Sequence, residues 1–145
     1  LKLVGVLDES GMEPVQNRIE KLPFMDWRQL PAVIAGLDIN LMPLENSLFH
    51  WCKSENKWTE AALVKVPSVM SRNCEMEYVV ENGKDGWMCT TKEEWVNALE
   101  ALVTDEKARK AMGEAAHQKV MEHYLTVNTG KDAMEELLCS ESYTK

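Results

Sequence analysis

Short apolar runs alternate with segments of helical period along most of this chain, and this alternation constrains the fold more than any other feature. The runs that predict strands are Leu1–Leu7, Asp38–Leu44, Pro67–Ser71 and Asp85–Thr90, with Arg18–Pro23 as a weaker candidate. Strands separated by helices form βαβ units. The sequence therefore predicts an α/β domain whose mostly parallel sheet is flanked by helices.

The helices are predicted from apolar residues repeated at three- and four-residue spacing. Thr91 and Glu94 have the spacing of a capping box, which marks a helix start. We place the main domain at residues 1–128 and a C-terminal helix and tail at residues 129–145. The predicted helices cover Trp27–Leu37, Ser54–Lys65, Glu75–Val80, a segment from Thr91, a segment from Asp105, and Asp132–Leu138.

Composition excludes several classes of protein. Sixteen Lys and Arg residues against 24 Asp and Glu give a net charge of −8, which argues against a nucleic-acid partner. The four cysteines contain no CxxC pair and form no zinc pattern with the three histidines, so we expect no metal. No signal peptide and no apolar run long enough to span a bilayer is found. We expect a cytoplasmic protein without a transmembrane segment.

Topology indicates where a ligand would bind. In open parallel sheets, ligands lie outside the carboxyl ends of the strands. The loops that follow predicted strands are Asp8–Pro14, Glu45–Lys53 and Arg72–Cys74. These loops are therefore the expected surroundings of a binding site.

The helix predicted from Ser54 has two lysines near its start. The unpaired N–H groups and positive dipole at a helix N-terminus suit a phosphate. Lys53 and Lys57 lie at this end against the dipole, an arrangement that makes sense if an anion binds between them. Glu60 is three residues after Lys57 and could accept hydrogen bonds from ligand hydroxyls. The alternative is that these charges form an ordinary solvated helix face.

Four segments in fixed order resemble one family. They are DINLMPL (Asp38–Leu44), KWTEAALVKVPSVMS (Lys57–Ser71), EMEYVVENGKDGWM (Glu75–Met88) and WVNALEALVTDEKARKAMGEAA (Trp95–Ala116). This order resembles the C-terminal domain of nucleotide-sugar-dependent retaining glycosyltransferases with the GT-B fold. The resemblance implies a Rossmann-like domain that binds a nucleotide-diphosphate sugar across the carboxyl ends of its strands.

The resemblance also implies roles for individual residues. Glu60 matches the glutamate that binds the nucleotide ribose, and Phe24 lies in the segment that lines the base. The family's other glutamate, which contacts the donor sugar, falls at position 52, where this chain has a cysteine. Glu45 is a substitute sugar contact or a solvated loop carboxylate. The remaining candidates lie beside the diphosphate and are Lys53, Ser54, Glu55, Asn56 and Lys57.

The resemblance implies an enzyme, a hexosyltransferase-type glycosyltransferase, acting on a sugar nucleotide as substrate and needing no cofactor. In the family a preceding N-terminal domain binds the acceptor, so we expect the chain to be a piece that is inactive without that partner. That domain is also where we expect any peripheral membrane contact. The family's opening strand runs through the middle of the sheet; either Leu1–Leu7 takes its place or the sheet is incompletely packed.

Two other functions stay open from the sequence. A GT-B-like module without catalysis could serve in binding or assembly. Cys52 favours this alternative, and the retained Lys53, Lys57 and Glu60 oppose it. A flavodoxin-like or receiver-type domain would carry an acidic cluster after its first strand, where Asp8 and Glu9 are adjacent. No matching lysine or threonine pattern follows that pair.

Overall fold

A computed structural model of the chain describes residues 1–5 and 11–139. Its helices are α1 (Leu30–Ala35), α2 (Leu48–Trp51), α3 (Asn56–Leu63), α4 (Cys74–Val79), α5 (Lys92–Thr104), α6 (Glu106–His123) and α7 (Thr126–Cys139), with a 3₁₀ helix at Glu13–Arg18. Its strands are β1 (Lys2–Val4), β2 (Glu20–Leu22), β3 (Asn40–Met42), β4 (Ser68–Ser71) and β5 (Trp87–Cys89). Val6, Leu7 and the start of the predicted loop Asp8–Pro14, with Asp8 and Glu9, lie outside the described residues.

The described strands form two parallel sheets. One has the order β3-β4-β5, and the other contains β1 and β2. The register pairs Leu41 with Val69 and Met70 with Met88 in the larger sheet, and Leu3 with Lys21 in the smaller one. The predicted α/β fold with parallel strands flanked by helices is therefore confirmed.

The first strand does not extend the larger sheet. β1 pairs with β2, and no pairing between β1 and β3 occurs in the described part of the chain. The idea that Leu1–Leu7 takes a central place beside β3 is therefore wrong for the residues described. No residue in positions 1–5 and 11–33 is buried, because the small sheet has little apolar cover.

The position of β4 between helices on both faces of the sheet explains why its sequence is almost continuously apolar. Ser68, Val69 and Met70 are all buried, because successive side chains point to opposite faces and helices cover both. Val69 packs in a cluster with Leu102 and Met112 from α5 and α6. Met70 packs in another cluster, which is built around Trp58 of α3, whose exposed fraction is 0%.

The two helices with the clearest sequence signals begin where predicted. Thr91 and Glu94 form the predicted capping box of α5, and the Asp105 side chain accepts hydrogen bonds from backbone N–H groups at the start of α6. α7 begins at Thr126, six residues before its predicted start at Asp132. Of the predicted stripe on α6, Met112, Ala116 and Val120 are buried and Tyr124 is half-buried. Ala108 is exposed, which corrects its expected inward position.

α6 packs closely on the end of α3 through a glycine. A Cβ added at Gly113 would lie 2.1 Å from the Lys65 carbonyl oxygen and 2.8 Å from the Lys65 carbonyl carbon. Lys65 has a φ of 62° and closes α3, with its N–H donating to the Ala62 carbonyl and the Val66 N–H to the Ala61 carbonyl. This is the Schellman pattern at a helix end. Gly113 therefore allows backbone to contact backbone between α6 and the α3–β4 connection.

A buried aspartate links three segments. The Asp85 side chain, 2% exposed, forms an ion pair with Lys119 of α6 and accepts a hydrogen bond from the Glu81 N–H at 2.8 Å. The Lys119 ammonium also donates to the Val79 carbonyl at 2.9 Å. The Asp85 carbonyl accepts the Trp58 indole N–H at 2.9 Å. The turn before β5 is thus joined to both α3 and α6.

Gly113→Ala should destabilise the protein by at least about 2 kcal/mol, because backbone atoms of Lys65 cannot move aside as a flexible side chain could. The matched control is Gly130→Ala in α7, where an added Cβ meets nothing within 4 Å. That variant should be neutral or more stable by up to about 1 kcal/mol, from helix propensity. Urea denaturation measures both, and equal midpoints for the two variants would contradict the close contact.

Asp85→Ala should cost at least about 2 kcal/mol, because the Glu81 N–H and the half-buried Lys119 ammonium both lose their acceptor. The double variant Asp85→Ala/Lys119→Met should lose less than the sum of the two single changes. Glu106→Ala, which removes an exposed ion pair with Lys110, is the comparison and should change stability by less than about 1 kcal/mol. Additive losses in the Asp85 and Lys119 cycle would show that the two groups are not coupled.

Candidate functional site

The carboxyl ends of β3, β4 and β5 meet at one edge of the larger sheet, where a cavity of about 320 Å³ opens. Residues that follow all three strands line it. Two of the loops expected from the topology, Glu45–Lys53 and Arg72–Cys74, contribute side chains to this lining. The cavity therefore lies at the edge where open parallel sheets generally bind their ligands.

One wall comes from the loop after β3 and from α2, with Glu45, His50 and Trp51 among its residues. α2 begins after Ser47, whose hydroxyl accepts the His50 N–H and contacts His50 Nδ1 at 2.8 Å. The Trp51 indole N–H donates to the Asn46 side-chain oxygen at 2.7 Å. Local hydrogen bonds thus hold the rings of His50 and Trp51. The helix that carries them has four residues and is too short to be predicted from the periodicity of apolar residues.

The opposite wall follows β4 and is tied to the first. The Ser71 hydroxyl donates to the Leu44 carbonyl at 3.1 Å and accepts the Leu44 N–H at 2.8 Å. Asn73, which is buried, caps α4 by accepting the Met76 N–H, and its amide donates to the His50 carbonyl at 3.4 Å. Side-chain and backbone bonds therefore fix the distance between the two loops. An asparagine before an apolar run is a cap signal that the sequence does carry at this position.

The charged groups that line the cavity are the ion pair of Arg72 with Glu77 and the separate carboxylate of Glu45. Arg72 donates to Glu77 at 3.0 Å, and both groups are partly exposed. Glu45 is exposed, and its carboxylate has no hydrogen bond or ion pair with any described residue. Cys89 is buried at the end of β5, and burial raises the pKa of its thiol. A neutral thiol therefore lies in the lining beside these charges.

The predicted diphosphate contacts lie outside this lining. α3 begins at Asn56, two residues later than predicted, with Glu55 before it. The Lys53 ammonium lies 4.3 Å from the centre of the Phe49 ring. The Lys57 carbonyl accepts a hydrogen bond at 3.4 Å from Asn40, the first residue of β3. The start of α3 thus lies beside β3 rather than at the cavity.

The remaining candidates are accessible. Lys53, Ser54, Asn56, Lys57 and Glu60 are exposed, and Glu60 lies in α3. Their binding roles stay predictions.

Phe24 is 88% exposed just after β2 and is therefore not part of the core. A ring in that position is free to stack on a planar ligand.

Within residues 1–5 and 11–139, no group of three or more His, Cys, Asp or Glu side chains is arranged to hold a metal ion. Cys52 and Cys74 are exposed free thiols, and Cys89 is a buried one. None of the described helices is long and apolar enough to cross a bilayer.

Comparison with solved structures finds the same fold in larger proteins. Anabaena HepE in complex with UDP-glucose matches with a TM-score of 0.70 and 18% identity over 87% of this chain. Sucrose-phosphate synthase from Thermosynechococcus elongatus matches with a TM-score of 0.69 and 14% identity over 97% of this chain. The C-terminal domain of LpcC, a glycosyl transferase group 1 family protein from Francisella tularensis, matches with a TM-score of 0.59 and 17% identity over 80% of this chain.

The match covers only part of those proteins. It spans 34% of the HepE chain, 38% of sucrose-phosphate synthase and 58% of the LpcC chain. A comparison with curated protein sequences finds no match. The family model for glycosyl transferases group 1 matches residues 1–105 of the 145. The chain therefore belongs to the glycosyl transferases group 1 family, with the Rossmann-like fold of a GT-B C-terminal domain.

Proposed function

We propose that this domain binds the nucleotide-diphosphate sugar donor of a glycosyl transfer reaction. The observation that carries the proposal is the family match over residues 1–105, which include each of the described strands and the residues that line the cavity. HepE, which has the same fold, is a protein with structures in complex with UDP-glucose and with UDP. A cavity at the carboxyl edge of a parallel sheet is consistent with such a ligand.

The proposal gives the accessible candidates separate tasks. Glu60 accepts hydrogen bonds from the ribose hydroxyls, and Phe24 stacks on the base. Lys53 and Lys57 balance the charge of the diphosphate, which the backbone and side chains of Ser54 to Asn56 approach. Stabilising a departing diphosphate in this way lowers the barrier for transfer of the sugar. The side chains of Phe24, Lys53, Lys57 and Glu60 are exposed, which supports the assignment because a ligand can reach them.

The reaction needs a second domain in this proposal. An N-terminal domain binds the acceptor, and the donor is a hexose activated by the nucleotide, with no further cofactor. We place the protein in the cytoplasm, with any contact to a membrane surface made through that second domain.

One observation favours a second candidate function. Cys52 is an exposed thiol at the position where the family's sugar-binding glutamate falls. A thiol cannot accept hydrogen bonds as a carboxylate does. A module that binds a nucleotide sugar without transferring it would tolerate this change. Binding experiments and turnover experiments separate the two functions.

Glu60→Ala should weaken binding of a nucleoside diphosphate about tenfold or more, because a hydrogen bond to a charged group contributes roughly 1.5–3 kcal/mol. Calorimetric titration with UDP, GDP, ADP and CDP measures this loss. Glu100→Ala in α5 removes an equally exposed helical carboxylate and is the control. No binding of any of these ligands by the parent chain would refute the proposed function, and equal affinity in Glu60→Ala would refute the role of Glu60.

The chain by itself should give no glycosylated product from labelled sugar nucleotides and a panel of acceptors. Holding two substrates in line can supply about 7–11 kcal/mol of the barrier, and one domain holds only the donor. Product should appear once an N-terminal partner domain is added, as measured by transfer of the label. Turnover by the chain alone, above slow donor hydrolysis, would contradict the division of labour. Donor binding without turnover in the assembled protein would favour the non-catalytic module.

A further inference from the structure

The turn before β5 contains an asparagine that is followed directly by a glycine. Asn82 and Gly83 lie between α4 and β5, and both are exposed. The side-chain amide of an asparagine can be attacked by the backbone nitrogen of the next residue, which closes a succinimide ring. Glycine favours this attack, because it has no side chain to hinder the approach and its backbone is the most flexible. Every other asparagine of the sequence precedes a residue with a side chain, so this pair is the most reactive of its kind in the chain.

Hydrogen bonds hold both reacting groups in the folded protein. The Asn82 side-chain oxygen accepts the Met88 N–H at 2.7 Å. The Gly83 N–H donates to the Gly86 carbonyl at 2.8 Å, and Gly83 has a φ of 83°. For the ring to close, the Gly83 nitrogen must give up its proton and reach the Asn82 side-chain carbon. Both hydrogen bonds therefore have to break first, and the reaction proceeds through an opened turn.

The reaction changes the covalent chain in two steps. A bond forms between the Gly83 nitrogen and the Asn82 side-chain carbon, the amide C–N bond of the side chain breaks, and ammonia leaves with the proton from Gly83. Water then opens the ring at either of its carbonyls. One opening gives aspartate with the original backbone. The other gives isoaspartate, in which the main chain runs through the former side chain and is longer by a carbon atom.

The two products differ in how they fit the turn. Aspartate at position 82 keeps an oxygen that can accept the Met88 N–H. Isoaspartate lengthens the main chain inside the bridge between positions 82 and 86. Asp85 lies within that bridge and forms the ion pair with Lys119 of α6. A longer chain at position 82 therefore displaces the Asp85 carboxylate from its partner.

We propose that Asn82 is a modification site, at which deamidation through the opened turn forms isoaspartate and loosens the attachment of the turn to α3 and α6. The Asp85 carbonyl accepts the Trp58 indole N–H at 2.9 Å, so a change at an exposed residue reaches the larger core cluster. None of these contacts involves a residue assigned to the donor. The modification therefore acts on the stability of the domain and is independent of the proposed function.

The first test compares the folded chain with the unfolded chain. In urea, peptide mass spectrometry should find faster deamidation at Asn82 than at any other asparagine. In native buffer of the same pH and temperature, the rate at Asn82 should be at least about tenfold lower, because the turn opens only transiently. A synthetic peptide of residues 79–88, incubated in both solutions, corrects for the effect of urea on the reaction itself.

Variants of the turn test whether its opening controls the rate. Asp85→Ala removes the acceptor of the Glu81 N–H and should raise the native rate at least about fivefold. The control is Lys84→Ala, which removes an exposed ion pair with Glu81 in the same turn and should change the rate by less than about twofold. If circular dichroism shows that Asp85→Ala does not fold, the comparison of the parent chain in buffer and in urea decides.

The second test separates the two products. Parent protein deamidated in urea, refolded and isolated by ion exchange contains both of them at position 82. The variant Asn82→Asp, taken through the same treatment, contains aspartate alone there. Urea denaturation should give this variant a folding equilibrium constant within about threefold of the untreated parent. The constant of the deamidated parent should be at least about fivefold lower than that of the treated variant.

Three results would overturn the proposal. Equal rates in buffer and urea, after correction with the peptide, would show that the folded turn gives no protection. An unchanged native rate in folded Asp85→Ala would show that opening of the turn does not control the reaction. Equal stability of the deamidated parent and the treated Asn82→Asp would show that isoaspartate leaves the attachment of the turn intact.

Discussion

The ion pair between the buried Asp85 and the half-buried Lys119 is the interaction on which the C-terminal part of the fold depends. A charge removed from water is stable only when its partner and its hydrogen bonds are all in place. Asp85 meets this condition through Lys119 and the Glu81 N–H, and its carbonyl holds the indole of Trp58. The turn before β5, the longest helix and the centre of the larger core cluster are thereby placed relative to one another. The carboxyl edge with its cavity is built on that arrangement.

Much of the fold could be predicted from local sequence signals. Thr91 with Glu94, and Asp105, are caps whose hydrogen bonds form within a few residues of chain. Such signals are strong because they do not need the rest of the protein. The apolar run of β4 was equally clear, since a strand covered on both faces shows no alternation. The family resemblance, carried by segments in order rather than by one motif, is confirmed by the match over residues 1–105.

The site was harder to predict, because its geometry arises from contacts distant in sequence. α2 has four residues, about one helical turn, so no repeat of apolar positions marks it in the sequence. The sequence therefore does not indicate that His50 and Trp51 line a cavity. The prediction that the lysines flank a diphosphate requires α3 to start at the carboxyl edge. The Lys57 carbonyl instead contacts Asn40 at the beginning of β3, and Lys53 lies over Phe49. The Ser71–Leu44 and Asn73–His50 hydrogen bonds bring the side chains of the cavity together. Spacing along the chain does not reveal these two bonds.

The small sheet of β1 and β2 has a consequence for how the protein opens. None of the described residues before Ile34 is buried, whereas Val69 and Met70 of β4 are 0% and 1% exposed. Regions with little buried apolar surface open at low free energy, independently of global unfolding. The chain therefore consists of a cooperative body and an N-terminal unit whose backbone amides exchange with solvent through local fluctuations. Phe24, just after β2, lies in that unit, so its position adjusts more readily than that of a core residue.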